Sequence, residues 1–298
     1  MKSFLCEWIL SCVLTAQPVT PLPDLYYGTV LYDYYQDDYQ QALLDSLIVE
    51  RRGVIGEDPV RLQLAKGSFA FADGMYSMAE QTFASVADGE LTPLDKMRLS
   101  FHLARENFRR QDFDGVERNL VNIDLGKSWL GQERMHPEVE FMRAELATQR
   151  GDFTAARAAI ERIDAKQPYR AYALFNLGVA LRAAGALDQA EQAFATLGAM
   201  DVYEADALDL KQRALVALSL VKRQRTESAS AESVLGAMPA DGRYRDLALT
   251  SYGGLAMDNG DYELAARIWL SLKKEGYWSE SSATAQLGFP MSLEHMAS

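Results

Sequence analysis

The stretch from Ala171 to Met200 reads AYALFNLGVALRAAGALDQAEQAFATLGAM and contains two amphipathic helices separated by a glycine. Gly185 interrupts the helical pattern between them. Helical spacing places four residues on one face of the first helix: Leu174, Leu177, Gly178 and Leu181. The inner face of the second helix carries the small Ala190 and, one turn later, the bulky Phe194. This stretch therefore predicts an antiparallel helical hairpin.

The hairpin recurs about seven times along the 298 residues. Each second helix has a small residue where a neighbouring helix must approach closely, at spacings of 34 to 41 residues: Ala42, Ala79, Val116, Ala156, Ala190, Ala231 and Ala265. Four residues further along, six of the seven have a bulky apolar residue: Phe83, Leu120, Ile160, Phe194, Leu235 and Trp269. Ser46 is the exception. A fixed period of this length predicts an all-α solenoid, in which each hairpin buries its apolar face against its neighbours.

A short motif precedes five of the second helices. The five copies are Asp37-Asp38-Tyr39, Gly74-Met75-Tyr76, Gln111-Asp112-Phe113, Gly151-Asp152-Phe153 and Gly260-Asp261-Tyr262. We expect the first residue to end one helix, an aspartate to cap the next helix, and the aromatic ring to pack back over the turn. The sixth hairpin has only a polar break at this point.

In the order of its large and small residues the hairpin resembles the tetratricopeptide repeat (TPR) family. Leu174, Leu177, Gly178, Leu181, Ala190 and Phe194 carry the resemblance most clearly, and Leu249, Gly253, Ala265 and Trp269 follow the same order. Hairpins before Gly151 are degenerate, with Gly67 and Ala104 at the small position of the first helix. The resemblance implies a right-handed superhelix of about seven antiparallel helix pairs, whose first helices line a concave groove.

The sequence predicts four segments: a possible signal peptide over residues 1–16, a linker over 17–23, the repeat array over 24–276, and a further segment over 277–298. Gly288 follows Gly253 by 35 residues, so the last segment continues the period with another first helix. This helix either caps the array or begins an eighth repeat. We favour the eighth repeat, because Leu287 and Met291 are too apolar for the polar outer face of a cap.

The first residues resemble a secretory leader. Lys2 precedes an apolar stretch that Glu7 interrupts, and Ala16 occupies a plausible cleavage position. Cys12 allows a lipoprotein-type alternative, and a cytoplasmic protein with an apolar leader is the other one. We expect a periplasmic or envelope-associated protein. No apolar run reaches the length of about 18 residues needed for a transmembrane helix.

Composition and motifs argue against catalysis and against several ligand classes. The formal net charge of −12 disfavours nucleic-acid binding. Both cysteines lie in the first twelve residues, and no two of the three histidines share a helical turn, which leaves no metal site. His102 is expected to pack or to lie on the surface, and His136 precedes Pro137 at an expected helix start. We find no phosphate-binding or nucleophile motif and predict no cofactor and no catalytic residue.

The TPR resemblance implies which side chains line the groove. The predicted partner-binding residues are Arg61, Phe71, Arg98, Phe101, Arg105, Phe108, Arg109, Phe141, Tyr172, Phe175 and Arg182. Glu138 and Glu145 occupy equivalent positions in the fourth hairpin. Arginine binds carboxylates with two parallel hydrogen bonds, and aromatic rings offer rigid contact area, so we predict a protein or peptide partner that carries acidic groups. The alternative is that these arginines are solvated or paired with neighbouring glutamates.

Tyrosines are concentrated at the start of the array: Tyr26, Tyr27, Tyr32, Tyr34, Tyr35 and Tyr39. They predict either a capping helix that packs on the second hairpin or a surface for a partner or a second copy of the chain.

These observations favour a non-enzymatic adaptor in a bacterial cell envelope that holds its partner in the groove. Two alternatives remain open: a regulatory or targeting segment of a larger protein, and a cytoplasmic TPR module that accompanies an enzyme.

Overall fold

The structure is a computed structural model that describes residues 25–52, 59–124, 132–201, 205–225, 228–236, 244–274 and 280–297. Within these ranges the chain forms fifteen α-helices and no strand, which confirms the predicted all-α fold. Consecutive helices pack as antiparallel pairs, as in a helical repeat solenoid. The predicted leader (1–16) and linker (17–23) lie outside the described residues.

The chain divides into two compact units after Arg110. The first unit contains five helices: α1 (Leu25–Tyr35), α2 (Tyr39–Arg52), α3 (Pro59–Ala72), α4 (Tyr76–Ala87) and α5 (Pro93–Arg109). Each packs on the next, and α3 also contacts α5. The first helices of the predicted hairpins are therefore α1, α3 and α5, and the second helices are α2 and α4.

The second unit contains ten helices. They are α6 (Phe113–Leu120), α7 (Gln132–Gln149), α8 (Phe153–Glu161), α9 (Pro168–Ala183), α10 (Leu187–Ala199), α11 (Ala205–Gln224), α12 (Ser228–Gly236), α13 (Arg245–Asp258), α14 (Tyr262–Lys274) and α15 (Glu280–Ala297). The first helices of successive pairs, α7, α9, α11, α13 and α15, pack side by side in one layer. We call the side of this layer that faces away from the second helices the first-helix face.

The small and bulky positions that the sequence pattern identified are the positions that form the core. All seven small positions, Ala42, Ala79, Val116, Ala156, Ala190, Ala231 and Ala265, are 0% exposed. The bulky residue one turn later is buried in every pair, and this includes Ser46, the one polar member. The Ser46 hydroxyl donates a 2.6 Å hydrogen bond to the carbonyl of Leu43, so its polar atom is satisfied within its own helix.

Bulky knobs pack directly against glycines of the first helices. Three pairs recur at equivalent positions: Phe83 with Gly67, Phe194 with Gly178, and Trp269 with Gly253. At each glycine an added Cβ would lie between 2.5 and 2.7 Å from the nearest ring atom, so no larger residue fits there without a shift. Trp269 makes the same contact with Gly288 of α15, where the distance would be 2.6 Å. Helix α15 thus packs on α14 as the next first helix would.

The turns inside the pairs follow the predicted motif. Their first residues have left-handed φ angles, from 59° to 79°: Asp37, Gly74, Gln111, Gly151, Gly185 and Gly260. Asp112 and Asp152 each accept a 2.9 Å hydrogen bond from the backbone N–H three residues later, which caps the second helix. Asp261 does the same at 3.0 Å. The residue with the left-handed φ angle ends one helix, and the capping aspartate starts the next.

Helix α7 begins earlier than the sequence indicates. It starts at Gln132, so Pro137 lies inside the helix and not at its start. Pro137 is the sixth residue of α7, so it removes one backbone hydrogen bond and its ring crowds the carbonyl four residues earlier, and the helix nevertheless continues to Gln149.

Candidate partner-binding surface

The first-helix face of the second unit carries a row of apolar side chains at one repeated position. Tyr172, Leu208 and Leu247 each lie six residues before the small residue of their helix. Leu208 is 44% exposed and Leu247 is 45% exposed, while Tyr172 is half-buried. Because α9, α11 and α13 pack side by side, these side chains repeat at the interhelical spacing of about 8–10 Å. We call them the apolar row.

Only Tyr172 of this row was among the predicted partner-binding residues. Leu208 and Leu247 belong to the sixth and seventh hairpins, whose equivalent positions the sequence prediction did not include. The signal was present, since both residues precede a buried small residue, Ala214 or Gly253, by the same interval.

The predicted aromatic residues of the second unit are largely engaged in the core. The Phe175 ring contacts Phe194, with the centroids 6.0 Å apart, and the guanidinium of Arg213 lies 4.7 Å from the Phe175 centroid. Phe141 packs on Tyr169 at 5.4 Å. Both phenylalanines are half-buried, whereas Arg182 at the end of α9 is exposed. A partner that contacts the Phe175 ring would therefore also contact Arg213. The sequence prediction did not include Arg213.

In the first unit, the predicted arginine and aromatic residues contact one another. The Arg105 guanidinium lies 4.6 Å from the centroid of Phe71 and 5.6 Å from that of Phe101. Phe101 is only 4% exposed, so it packs beneath the surface and does not line a groove, contrary to the prediction. The reason is that Arg105 and the edge of His102 cover its ring.

Two of the predicted arginines have acidic partners on their own helix. Arg109 pairs with Glu106 at 2.7 Å, and its guanidinium lies 3.9 Å from the Tyr76 ring centroid. Arg98 pairs with Asp95 at 3.3 Å. Both carboxylates are buried. For these two arginines the structure therefore matches the alternative of pairing with neighbouring acids. Arg61 and Phe108 are half-buried and also make contacts within the chain.

Glu145 of α7 lies on the second unit's layer of first helices and is 7% exposed. Its Oε1 atom accepts a 3.0 Å hydrogen bond from the side-chain amide of Asn176 on α9. Burial raises the pKa of Glu145 above its ordinary value, and the Asn176 hydrogen bond offsets part of this effect. Glu145 is therefore a buried carboxylate held by an amide, with no cation beside it among the described residues.

His102 packs on Phe83, which is one of the two roles that the sequence left open for it. Its ring stacks on Phe83 with the centroids 5.0 Å apart and the planes 11° apart. Burial, together with the charges of Arg105 and Arg98, lowers the pKa of His102 to about 3. The imidazole therefore stays neutral at physiological pH. It packs from α5 on the buried Phe83 ring of α4.

Two surface cavities of the second unit do not coincide with the predicted residues. One of 390 Å³ lies among α6, α7 and α8, and another of 440 Å³ lies between the second helices α8 and α10. Within the described ranges no group of three His, Cys, Asp or Glu side chains is placed to hold a metal ion. None of the described helices is both long and apolar enough to cross a bilayer.

Comparison with known proteins agrees with this architecture. No protein-family model matches the sequence, and a search of curated proteins finds no match. The crystal structure of the apo form of RapI matches 88% of this chain and 79% of its own, with 12% identity and a TM-score of 0.61. The chain has a TPR-like repeat fold.

Two other structures were matched at lower scores. A tetratricopeptide repeat protein from Parabacteroides merdae matches 90% of this chain and 98% of its own, with 12% identity and a TM-score of 0.49. The TPR domain of P58(IPK) matches 91% and 88%, with 12% identity and a TM-score of 0.34. In this TPR-like chain the apolar row occupies one equivalent position in three successive repeats.

Proposed function

We propose that this protein is a non-enzymatic scaffold that binds a segment of a partner protein across the first-helix face of its second unit. The apolar row of Tyr172, Leu208 and Leu247 carries the proposal. A single exposed leucine is ordinary in a soluble protein. Exposed apolar side chains at the same position of adjacent repeats form a continuous strip, which is characteristic of a binding surface.

The spacing of the row suits an extended peptide. Adjacent first helices are about 8–10 Å apart, and a peptide in the extended polyproline II conformation has three residues per turn and advances about 3.1 Å per residue, so every third side chain lies on the same face. Every third residue of a bound segment would therefore meet one member of the row. Burial of such apolar contacts gives affinity of about 25 cal/mol per Å² of apolar surface removed from water, before the cost of ordering the peptide.

The titratable side chains on the described first helices α5 and α7 support binding in preference to catalysis. His102 is stacked and neutral, and the buried Glu106 and Asp95 are paired with arginine. Glu145 has an amide as its neighbour and no nucleophile or base. General acid–base chemistry requires a donor and an acceptor placed around one reacting group, and these residues offer no such arrangement.

Selection of binding peptides from a random display library against the purified full chain tests the proposal. Leu208→Glu and Leu247→Glu place a charge in the row and are expected to reduce binding of the selected peptides at least tenfold. Leu270→Glu is the matched control, because Leu270 is a comparably exposed leucine on the second helix α14. Equal effects of all three substitutions, or a library that yields no binder, would reject the proposal.

We further propose that the scaffold acts in the cell envelope. Lys2, the apolar stretch after it and Ala16 support this location. The intact mass of the protein purified from its native cell tests this separately. A chain that begins after Ala16 is expected, and a chain that retains Met1 contradicts export.

A further inference from the structure

The buried carboxylates of the described chain follow one pattern with one exception. Glu106 is paired with Arg109 at 2.7 Å and with Arg110 at 2.8 Å. Glu140 is paired with Arg143 at 2.7 Å and with Arg162 at 2.8 Å. Asp95 is paired with Arg98. A buried carboxylate is costly unless a cation offsets its desolvation, so this pattern is the expected one.

Glu145 departs from this pattern. It is as buried as the others, and its one partner among the described residues is the neutral amide of Asn176. Asn176 uses Oε1 of the carboxylate, which leaves Oε2 to accept a further hydrogen bond. The resulting raised pKa means that the ionised form is disfavoured in the free protein. A cation supplied from outside would stabilise that form.

A second unpaired acceptor lies one repeat further along the same layer. Asn176 precedes Gly178 by two residues, and Gln212 precedes the equivalent Ala214 by two residues. Glu145 is likewise equivalent to Val179, which follows it by 34 residues. By the repeat register, Val179 therefore takes the place relative to Gln212 that Glu145 takes relative to Asn176. The Oε1 atom of Gln212 is buried and has no hydrogen-bond partner within the described part of the chain.

We infer that Glu145 and Gln212 form a subsite for a basic residue of the bound segment, a lysine or an arginine. The cation pairs with Oε2 of Glu145, and the half-buried Gln212 side chain turns so that its Oε1 accepts a hydrogen bond from a donor of the same segment. This inference rests on the proposed function, because the same layer of first helices carries the apolar row. The excess of acidic residues, with a net charge of −12, also favours a cationic partner.

The geometry sets the spacing of the recognised segment. The Glu145 carboxylate lies 3.0 Å from the side-chain amide of Asn176 on α9, and Gln212 is on the adjacent first helix α11, so the two parts of the subsite are about 8–10 Å apart. An extended peptide covers that distance in about three residues. The subsite therefore selects a basic side chain with a free backbone N–H about three residues away from it, alongside apolar residues that contact the row.

A scanning set of blocked decapeptides tests the inference against the full chain. The peptides have leucine at every third residue, and one central position is varied among lysine, arginine, citrulline, norleucine and glutamate. Fluorescence polarisation should show at least tenfold tighter binding of the lysine and arginine peptides than of the norleucine and citrulline peptides.

Glu145→Gln should abolish this preference and retain binding of the norleucine peptide, because the amide keeps the size of the side chain and the acceptor for Asn176. Glu161→Gln removes the same charge from an exposed position on the second helix α8, away from the first-helix face, and should keep the preference. Gln212→Leu should weaken all peptides by a similar factor. Circular dichroism of each variant checks folding.

The outcomes separate the two proposals. Wild-type protein that binds these peptides without preferring a cation overturns the inference and leaves the proposed function intact. A preference that survives Glu145→Gln overturns it as well. Failure of the wild-type protein to bind any peptide of the set and of the display library rejects the proposed function, and the inference falls with it.

Discussion

The ring of Phe194 occupies the space that a side chain would need at Gly178. A β-carbon added at Gly178 would lie 2.6 Å from Cε1 of Phe194, well inside van der Waals contact. The glycine and the ring are therefore one structural unit, in which the missing side chain of the first helix makes room for the knob of the second. A substitution at either position should therefore change the effect that a substitution at the other has on the free energy of unfolding.

Gly178→Ala should destabilise the protein by about 1–3 kcal/mol through overpacking. Gly185→Ala is the matched control, because an added Cβ meets nothing within 4 Å there and the cost of its φ of 77° is independent of Phe194. Chemical denaturation of both variants, alone and combined with Phe194→Leu, measures the coupling. The cost of Gly178→Ala should shrink in the Phe194→Leu background, whereas that of Gly185→Ala should not. Additive behaviour at Gly178 would contradict the direct contact.

Phe194→Ala should lower the free energy of unfolding by about 3–5 kcal/mol, because the ring is completely buried and leaves a cavity. Leu208→Ala, on the exposed apolar row, should cost less than about 0.5 kcal/mol. The comparison by urea denaturation distinguishes a core knob from a surface residue. Similar losses for the two variants would mean that the core has been assigned to the wrong face.

The neutral state of His102 predicts a loss of stability in acid. Its pKa is about 3 in the folded protein and 6.5 in the unfolded chain, so between these values the unfolded chain binds more protons. Stability should fall as the pH drops below 6.5, by about 1.4 kcal/mol per pH unit from this residue. His102→Phe preserves a ring against Phe83 and should flatten this part of the profile. Titration of the His102 resonances near pH 6.5 in NMR spectra of the folded protein would refute the prediction.

Glu145 predicts a pH effect of the opposite sign. Its folded pKa is raised above the ordinary value of 4.5, so the folded protein retains the proton that the unfolded chain loses. Stability from this group is therefore lost as the pH rises from 4.5 through the folded pKa. Glu145→Gln should be more stable than wild type at neutral pH, and the difference should vanish below pH 4.5. Equal stability of the two proteins at neutral pH would show that the carboxylate is solvated or paired.

The arginines of α5 give a separate test for an acidic partner. Because Arg109 is already paired with the buried Glu106, Arg105→Glu combined with Arg109→Glu should change the affinity for an acidic peptide less than tenfold, and a larger loss would show that these arginines bind an acidic partner. Unchanged affinity in calorimetry would mean that Arg109 serves only to neutralise Glu106. Lys96→Glu, an exposed residue of the same helix, controls for net charge.

Periodicity was sufficient to predict the fold because the contacts that define it are local. Ala190 and Phe194 are one turn apart, and each buries against a helix adjacent in the chain. The side chains of one helical hairpin therefore specify most of its own packing. The sequence pattern contains this information directly.

The candidate site was less predictable, because exposure depends on which side chain covers another. Phe101 occupies an equivalent position to Phe175, yet Arg105 of the next turn covers it. The pairing of Glu106 with Arg109, three residues apart, was readable from spacing alone. By contrast, the isolation of Glu145 depends on where the cations of the adjacent helices lie, since its partner among the described residues is the Asn176 amide, and no local pattern reveals this.

Substantial contacts among the described helices of the second unit join elements no more than two apart along the chain. Contacts so close in sequence close only short loops, and this favours rapid folding that starts in one well-packed hairpin and spreads to its neighbours. Because the contacts are local, helices at the ends of the unit can unfold while those in the middle remain folded. Hydrogen exchange should therefore be slowest around α9 and α10 and faster towards α15.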